Sequence, residues 1–337
     1  MNMKLLRRLT TISLVLALVV VMLGAYTRLT DAGLGCPDWP GCYGHMVLPT
    51  AVKALNQAQA NYPTFQLEEK KAWTEMVHRY AAGTLGLFIV VIFLQAVVLG
   101  RKTSSLPKAA PFILAGLLIF QALLGMWTVT LKLFPPVVMG HLLGGILIFT
   151  TLCYFRWQLS DIKPQRQFNT WHKWIGCAAV IVFFQIALGG WVSSNYAGIA
   201  CVGFPACNGL LWPQLNLKEG FNFLSPIGAN YQGGLLNIDI RITIQFIHRL
   251  GAVVTAGFIL ILSAMLMARV QDDSVKRVAG LALVLVSLQF VLGVLNVVYL
   301  LPLWVAVAHN GVAALLFATI LSLFYLTRGG NINAPQT

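Results

Sequence analysis

Charged side chains, and acidic ones above all, are scarce in this sequence. Only 10% of the 337 residues are charged, with 10 Asp or Glu against 23 Lys or Arg, whereas 58% are hydrophobic. So few charges cannot cover the surface of a water-soluble protein of this size, and the composition favours a polytopic membrane protein. The net charge of +13 does not indicate nucleic-acid binding, because the basic residues flank apolar runs and form no continuous patch.

Long uncharged runs predict the number of membrane crossings. Nineteen uncharged residues follow Arg8, twenty-one follow Arg79, and twenty-three lie on each side of Lys132. About 20 helical residues cross the hydrocarbon core. The fifty uncharged residues after Arg277 are too many for one crossing, so a turn is expected near Leu301-Pro302. The prediction is an all-α membrane protein with eight transmembrane helices, at 9–27, 75–99, 109–130, 137–157, 174–194, 241–268, 278–299 and 303–327.

The basic residues predict the orientation in the membrane. Eight crossings place both termini on one side, and fourteen of the 23 basic residues fall at the termini or connections of that side. They are Lys4, Arg7, Arg8, Arg101, Lys102, Lys108, Arg156, Lys163, Arg166, Lys173, Arg269, Lys276, Arg277 and Arg328. The positive-inside rule then makes both termini cytoplasmic and the long loops at 28–74 and 195–240 periplasmic.

The first apolar run is longer than the core of a secretory signal peptide, and no Arg- and Ser-rich transit peptide precedes it. We therefore expect a first membrane span and a bacterial inner-membrane protein. In the first long loop, AVKALNQAQA and LEEKKAW could form short surface helices.

The sequence contains an internal repeat. Five residues of the first half recur 165 positions later, and the later matches are shifted by 168 or 170 positions. The five are Gly24, Gly33, Cys36, Cys42 and Gly44, which recur as Gly189, Gly198, Cys201, Cys207 and Gly209. We expect two parallel four-helix-bundle repeats, 1–160 and 161–337, related by a pseudo-twofold axis along the membrane normal.

Four of the six cysteines lie in the outer loops, as Cys36/Cys42 and Cys201/Cys207. An oxidising periplasm permits a disulfide within each loop, and a structural bridge is the favoured interpretation. A redox role remains open, and metal binding is less favoured because no histidine repeats beside both pairs. Cys153 and Cys177 lie near inner helix ends, where packing explains them.

Histidines stand at matched positions of the two halves, each near the outer end of an even-numbered span. Ionisable residues within spans are candidates for function. Two neutral imidazoles facing each other suit the axial ligation of heme iron, whereas zinc requires further protein ligands. The candidate pairs are His78/His141 and His248/His309. No role is predicted for His45 and His172.

Small residues and arginines accompany these histidines. The small residues could leave space for a flat macrocycle or allow close helix packing. They are Ala82, Gly83, Gly86, Gly140, Gly144, Gly145, Gly251, Gly311, Ala313 and Ala314. Arg79 and Arg249 each follow a histidine, and their guanidinium groups could bind heme propionates or anchor the helix at the interface.

One chemical difference separates the two halves. Glu75 lies three residues before His78, which places both side chains on one face of a helix. At the matching position before His248 the sequence has Gln245. A carboxylate in a partly dry site can act as an acid, a base or a stabiliser of positive charge, whereas an amide can only hydrogen-bond. The first site is therefore expected to be reactive and the second to hold a resident cofactor.

Taken together, these motifs resemble the heme A synthase family, membrane enzymes that convert heme O into heme A for terminal oxidases. The resemblance covers essentially all eight predicted spans. It rests on TRLTDAGLGCPDWPGCYG at 27–44, EMVHR at 75–79, GH at 140–141, FIHR at 246–249 and AHNG at 308–311.

The resemblance implies a role for each candidate residue. For the N-terminal site it implies that Glu75 is catalytic and that the substrate heme O is held by His78 and His141, next to Arg79. For the C-terminal site it implies that His248 and His309, next to Arg249, ligate a heme B cofactor. It also implies the disulfides Cys36–Cys42 and Cys201–Cys207.

The family reaction is oxidation of the C8 methyl group of heme O to a formyl group by two successive hydroxylations, with water as the oxygen source and an unidentified electron acceptor. The implied partners are the farnesyltransferase that makes heme O and the cytochrome oxidase that receives heme A.

Two other classes of function share part of this pattern. A diheme cytochrome that only carries electrons needs the same four histidines, but it does not explain the difference between Glu75 and Gln245. A transporter built from parallel repeats predicts a polar site at the membrane midplane, whereas the polar groups here cluster at the outer ends of the spans.

Overall fold

A computed structural model of the chain describes residues 3–102, 106–162, 169–224 and 226–328. Within these ranges the regular structure is helical, and eight helices are long and apolar enough to cross a membrane. The helices are α1 (Met3–Leu29), α2 (Val52–Asn61), α3 (Glu69–Lys102), α4 (Ala109–Thr130), α5 (Pro135–Gln158), α6 (Asn169–Ser194), α7 (Leu217–Gly220), α8 (Ile238–Arg269), α9 (Asp273–Val298) and α10 (Leu303–Thr327). The all-α fold and the eight spans are thereby confirmed.

Several helices begin before the predicted spans, because the helical hydrogen bonding continues beyond the apolar segment into polar sequence. Helix α3 begins at Glu69, so the separate surface helix predicted for LEEKKAW is wrong and these residues lead into the first turns of the span. The other predicted surface helix is present as α2. The turn after Arg277 falls between Val298 and Leu303, as expected. Lys163 and Arg166, used above to assign the cytoplasmic side, lie outside the described residues.

Helices pack in the same order in the two halves of the chain. In the first half α1 contacts α3 and α5, and α4 contacts α3 and α5. In the second half α6 contacts α8 and α10, and α9 contacts α8 and α10. The halves meet through α1, α5, α6 and α10, whose inward faces form one apolar core.

Residues at equivalent repeat positions touch each other at both ends of the bundle. At the outer end, Arg28 donates a hydrogen bond to the carbonyl of Ser193, which lies 165 positions later. At the inner end, the Trp157 ring stacks on Tyr325, 168 positions later, with ring centroids 6.1 Å apart. Two residues that a twofold axis exchanges can contact each other only if they lie beside that axis. These contacts support the predicted axis running from one membrane face to the other.

Each outer loop folds against the start of the helix that follows it. Cys42 pairs with His45 and Cys207 with Leu210 in short antiparallel bridges at matching positions. The first loop buries a small apolar cluster of its own that includes Tyr43, Leu48 and Met76. The loops are therefore ordered lids over the outer ends of the helices.

We expect Trp157 to hold the two halves together at the inner end. Its indole N–H donates to the Ser322 hydroxyl at 2.8 Å, in addition to the stacking on Tyr325. Trp157→Ala should lower the free energy of unfolding by about 2 kcal/mol, which corresponds to a fall on the order of 5 °C in the melting temperature of the purified protein. Trp174→Ala is the matched control, because Trp174 is 52% exposed. Equal melting temperatures for the two variants would contradict this role.

Candidate functional site

One large cavity runs through the outer half of the bundle. Its volume is about 1210 Å³, beyond the roughly 300–1,000 Å³ typical of sites for small ligands. It is lined by both histidine pairs, His78/His141 and His248/His309, and by residues from the two halves of the chain. The cavity is thus large enough to hold more than one flat organic group, with the four imidazoles on its walls.

The first histidine pair is spaced for one metal ion between its rings. The ring centroids of His78 and His141 are 6.3 Å apart, with the ring planes at 79° to each other. Metal–imidazole bonds are about 2 Å long, so an iron atom with a nitrogen on each side fits within this distance. Among the described residues, no three His, Cys, Asp or Glu side chains group together to hold a metal ion. This donor set suits a metal that brings its own equatorial ligands, as heme iron does.

A glycine on a neighbouring helix faces each of the four imidazoles. A Cβ atom added to any of these glycines would lie 3.1–3.2 Å from the ring. The pairs are Gly24 with His78, Gly125 with His141, Gly189 with His248 and Gly293 with His309. The glycines repeat between the two halves at offsets of 165 and 168, and the histidines at 170 and 168. The repeat of the glycines is visible in the sequence, but their contact with the histidines is not.

The small residues next to the histidines in sequence divide between helix packing and the wall of the cavity. A Cβ on Gly144 would overlap Gln121, and a Cβ on Gly251 would overlap Gln185. Gly83 differs, because a Cβ there would meet nothing within 4 Å. The close-packing alternative therefore holds for part of the set, while Gly83 lines the cavity.

Three glutamines that sequence reasoning missed hold the histidines in place. Gln121 Nε2 donates to the His141 carbonyl at 2.7 Å, and Gln289 Nε2 lies 3.2 Å from His309 Nε2. Gln185 Nε2 lies 3.0 Å from His248 Nδ1 and also donates to the His248 carbonyl. The repeat position of Gln185 in the first half is Val20, which lines the same cavity. His248 therefore has a polar partner on the preceding span that His78 lacks at the matching position.

Glu75 is buried at the mouth of the first site, with 5% of its surface exposed. Its carboxylate accepts a hydrogen bond from the Cys36 backbone N–H at 2.9 Å and forms an ion pair with Arg79. Arg79 in turn donates to the carbonyls of Asp38, Pro40 and Gly41. The carboxylate, the helix start and the cysteine loop are thereby tied into one unit that borders the cavity.

The second half repeats this arrangement without the charge. Gln245 is also 5% exposed, and its Nε2 donates to the Gly198 carbonyl at 3.2 Å, while its Oε1 is buried without a partner. Arg249 donates to the carbonyls of Cys201, Gly203 and Ala206. Both arginines therefore bind loop carbonyls. The sequence suggested only propionate binding or anchoring at the interface for them, and neither includes this contact. No group in the described part of the chain accepts a hydrogen bond from the buried Arg249 Nε, so one donor of this guanidinium remains for a ligand.

The outer cysteines are paired within their loops. Disulfides join Cys36 to Cys42 and Cys201 to Cys207, and all four residues are buried. Cys153 and Cys177 are free thiols on α5 and α6.

His172 stacks on Phe324 near the opposite end of the bundle, far from the cavity lining. His45 contributes its backbone to the bridge with Cys42.

Comparison with known proteins identifies the family. Residues 7–321 match the family model COX15-CtaA, described as cytochrome oxidase assembly protein. A protein of Shewanella oneidensis named heme A synthase is 43% identical over 93% of this chain and 94% of its own length. Proteins of the same name from Wolbachia pipientis and Chelativorans are each 28% identical, over 93% and 92% of this chain and 89% and 87% of their own.

The match to this family extends along nearly the whole sequence. It agrees with the matched histidine pairs and the paired cysteine loops. The chain belongs to the COX15-CtaA family of cytochrome oxidase assembly proteins.

Proposed function

We propose that this protein is a heme A synthase, an enzyme that oxidises heme O to heme A. The observation that carries the proposal is the 6.3 Å separation of the His78 and His141 rings beside a buried carboxylate, within a chain 43% identical to a heme A synthase. The alternative of a diheme cytochrome for electron transfer has no support among the relatives, and it leaves Glu75 without a task.

The two sites have different occupants in this proposal. The N-terminal half, 1–160, holds the substrate heme O between His78 and His141. The C-terminal half, 161–337, holds heme B between His248 and His309. Support comes from Gln185, whose contact with His248 Nδ1 has no counterpart at the matching position of the first half and fixes the orientation of this imidazole. A resident cofactor benefits from this fixation, whereas a substrate must leave after each turnover.

Several cavity groups fit a heme with its two carboxylates. The unpartnered Arg249 Nε is a donor for a propionate in the C-terminal half. Among the described residues, the buried Nδ1 atoms of His141 and His309 also have no hydrogen-bond partner. Arg79 takes the equivalent place in the first half, where its contacts with loop carbonyls hold it next to Glu75. The bound heme B would supply one-electron redox chemistry.

The reaction requires water and an electron acceptor. Conversion of a methyl to a formyl group consumes one water and releases four electrons and four protons, through an alcohol and then a gem-diol that loses water. We propose that each hydroxylation removes two electrons from the substrate macrocycle and one proton from the C8 substituent, so that its carbon becomes electrophilic. Water then attacks this carbon and loses a proton. Glu75 either stabilises the positive charge or takes the proton of the water, roles that a buried carboxylate can fill.

The location and partners follow from the same proposal. The protein is a multi-pass membrane protein. We place it in the bacterial inner membrane with both termini in the cytoplasm and the disulfide loops in the periplasm, as the basic residues indicate. Heme O would come from a membrane-bound farnesyltransferase, and heme A would pass to a cytochrome oxidase during its assembly. The electrons would leave by way of heme B to an external acceptor.

We expect Glu75→Gln to abolish heme A formation while both porphyrins stay bound. The second half shows that a buried Gln is tolerated here, because Gln245 occupies the same position next to Arg249. Loss of an acid–base group costs about 100-fold or more in rate. The assay is chromatography of hemes from membranes supplied with heme O.

Gln245→Glu is the matched control and should leave heme A production intact. Glu75→Ala is less informative, because it removes the hydrogen bonds to Cys36 and Arg79 together with the charge and so disturbs the loop. A normal heme A yield from Glu75→Gln would reject the catalytic role.

Replacing histidines should separate the two sites spectroscopically. His248→Ala or His309→Ala should remove the heme B absorption from the purified protein, because one axial ligand is lost. His78→Ala or His141→Ala should retain heme B and lose bound heme O. Spectra that stay unchanged in all four variants would exclude both sites.

A further inference from the structure

We propose that heme O enters the N-terminal site sideways from the lipid, through a portal between α3 and α4 that is lined by Gly83, Gly86 and Ala122. The inference rests on the proposed function and adds the substrate's route and the residues that keep the two sites different. It comes from comparing the cavity wall at equivalent positions of the two halves.

On the third helix of the chain and its repeat partner, the first half has the smaller residues. Gly83 and Gly86 correspond to Val253 and Ala256, at the same distance along the helix from His78 and His248. All four line the cavity. A side chain at Gly83 would project into open space, and Gly86 is half-buried whereas Ala256 is buried. The α3 wall is therefore thinner than the α8 wall.

The adjoining helix shows the same difference. Ala122 on α4 corresponds to Phe290 on α9, and both line the cavity. Ala122 is exposed, whereas the larger Phe290 is half-buried, so the α4 wall is thinner at this position than the α9 wall. In addition, α3 and α4 share a smaller contact than α8 and α9 do.

A loop residue completes the closure of the second half. Phe204, in the loop closed by Cys201–Cys207, packs edge-on against Phe290 with ring centroids 6.3 Å apart. The positions of this pair in the first half hold Trp39 and Ala122, so the indole has no ring at position 122 to pack against. Of the two aromatic rings that pack together over this wall in the C-terminal half, the N-terminal half therefore has only one.

This asymmetry matches what the two ligands require. Heme O carries a long isoprenoid tail and dissolves in the membrane, and it must be exchanged for heme A after every turnover. A slot of glycine and alanine opening to the lipid admits the ring and leaves space for the tail. Heme B has no such tail and stays bound, which agrees with the larger side chains of Val253 and Phe290 on the wall of its site.

The test replaces Gly83 and Ala122 of the N-terminal half by the residues at the equivalent positions of the C-terminal half. Protein made without a heme O supply, and thus carrying heme B alone, is placed in lipid nanodiscs and mixed with vesicles that contain heme O. The rise in heme absorption measures uptake at His78 and His141. The variant Gly83→Val/Ala122→Phe should take up heme O more slowly by on the order of tenfold or more.

Gly116→Val is the matched control, since Gly116 is an exposed α4 glycine with nothing within 4 Å of an added Cβ, and it lies outside the cavity lining. It should take up heme O at the wild-type rate. The retained heme B absorption shows that each variant is folded. The reverse variant, Val253→Gly/Phe290→Ala, should lose heme B to a heme-binding apoprotein faster than wild type, again by on the order of tenfold.

The outcomes separate the portal from the function itself. Equal heme O uptake by wild type and Gly83→Val/Ala122→Phe, with unchanged heme B loss from the reverse variant, overturns the portal and leaves the proposed function standing. A wild-type protein that holds heme B but takes up no heme O overturns the proposed function.

Discussion

The buried contact among Glu75, Arg79 and the Cys36 backbone is the constraint on which the first site depends. A carboxylate placed this deep needs both a positive partner and hydrogen-bond donors, and the loop and helix supply them together. The Cys36–Cys42 disulfide closes the loop that carries the donor, and Arg79 fastens the same loop through its carbonyls. The fold of the loop and the position of Glu75, the proposed catalytic residue, therefore depend on each other.

Duplication gave the second half the same scaffold with different chemistry. Arg249, a disulfide loop and a pair of histidines recur there, but an amide replaces the carboxylate, and Gln185 adds a contact to His248. Val253 and Phe290 also place larger side chains on the cavity wall where the first half has Gly83 and Ala122. Each of these changes favours holding a cofactor over transforming a substrate. One cavity lined by both histidine pairs would then bring an electron source and an electron carrier close together.

Much of the fold was predictable because lipid imposes simple rules on sequence. The uncharged runs indicated eight spans, and the repeat indicated which histidines correspond. The start of α3 at Glu69 was missed, since a helix can continue into water where hydrophobicity gives no signal. Gln121, Gln185 and Gln289 were also missed, because they reach the histidines from neighbouring helices and spacing within one helix cannot show this. The contacts of Arg79 with loop carbonyls likewise depend on how the loop folds back.

The most direct test of two unlike porphyrin sites is the identity of the pigments bound to the wild-type protein. Protein purified from cells that make heme O should yield, on chromatography of the extracted hemes, heme B together with heme O or heme A. Heme B as the sole pigment, filling both sites, would contradict the account and support an electron carrier. A colourless protein would exclude both.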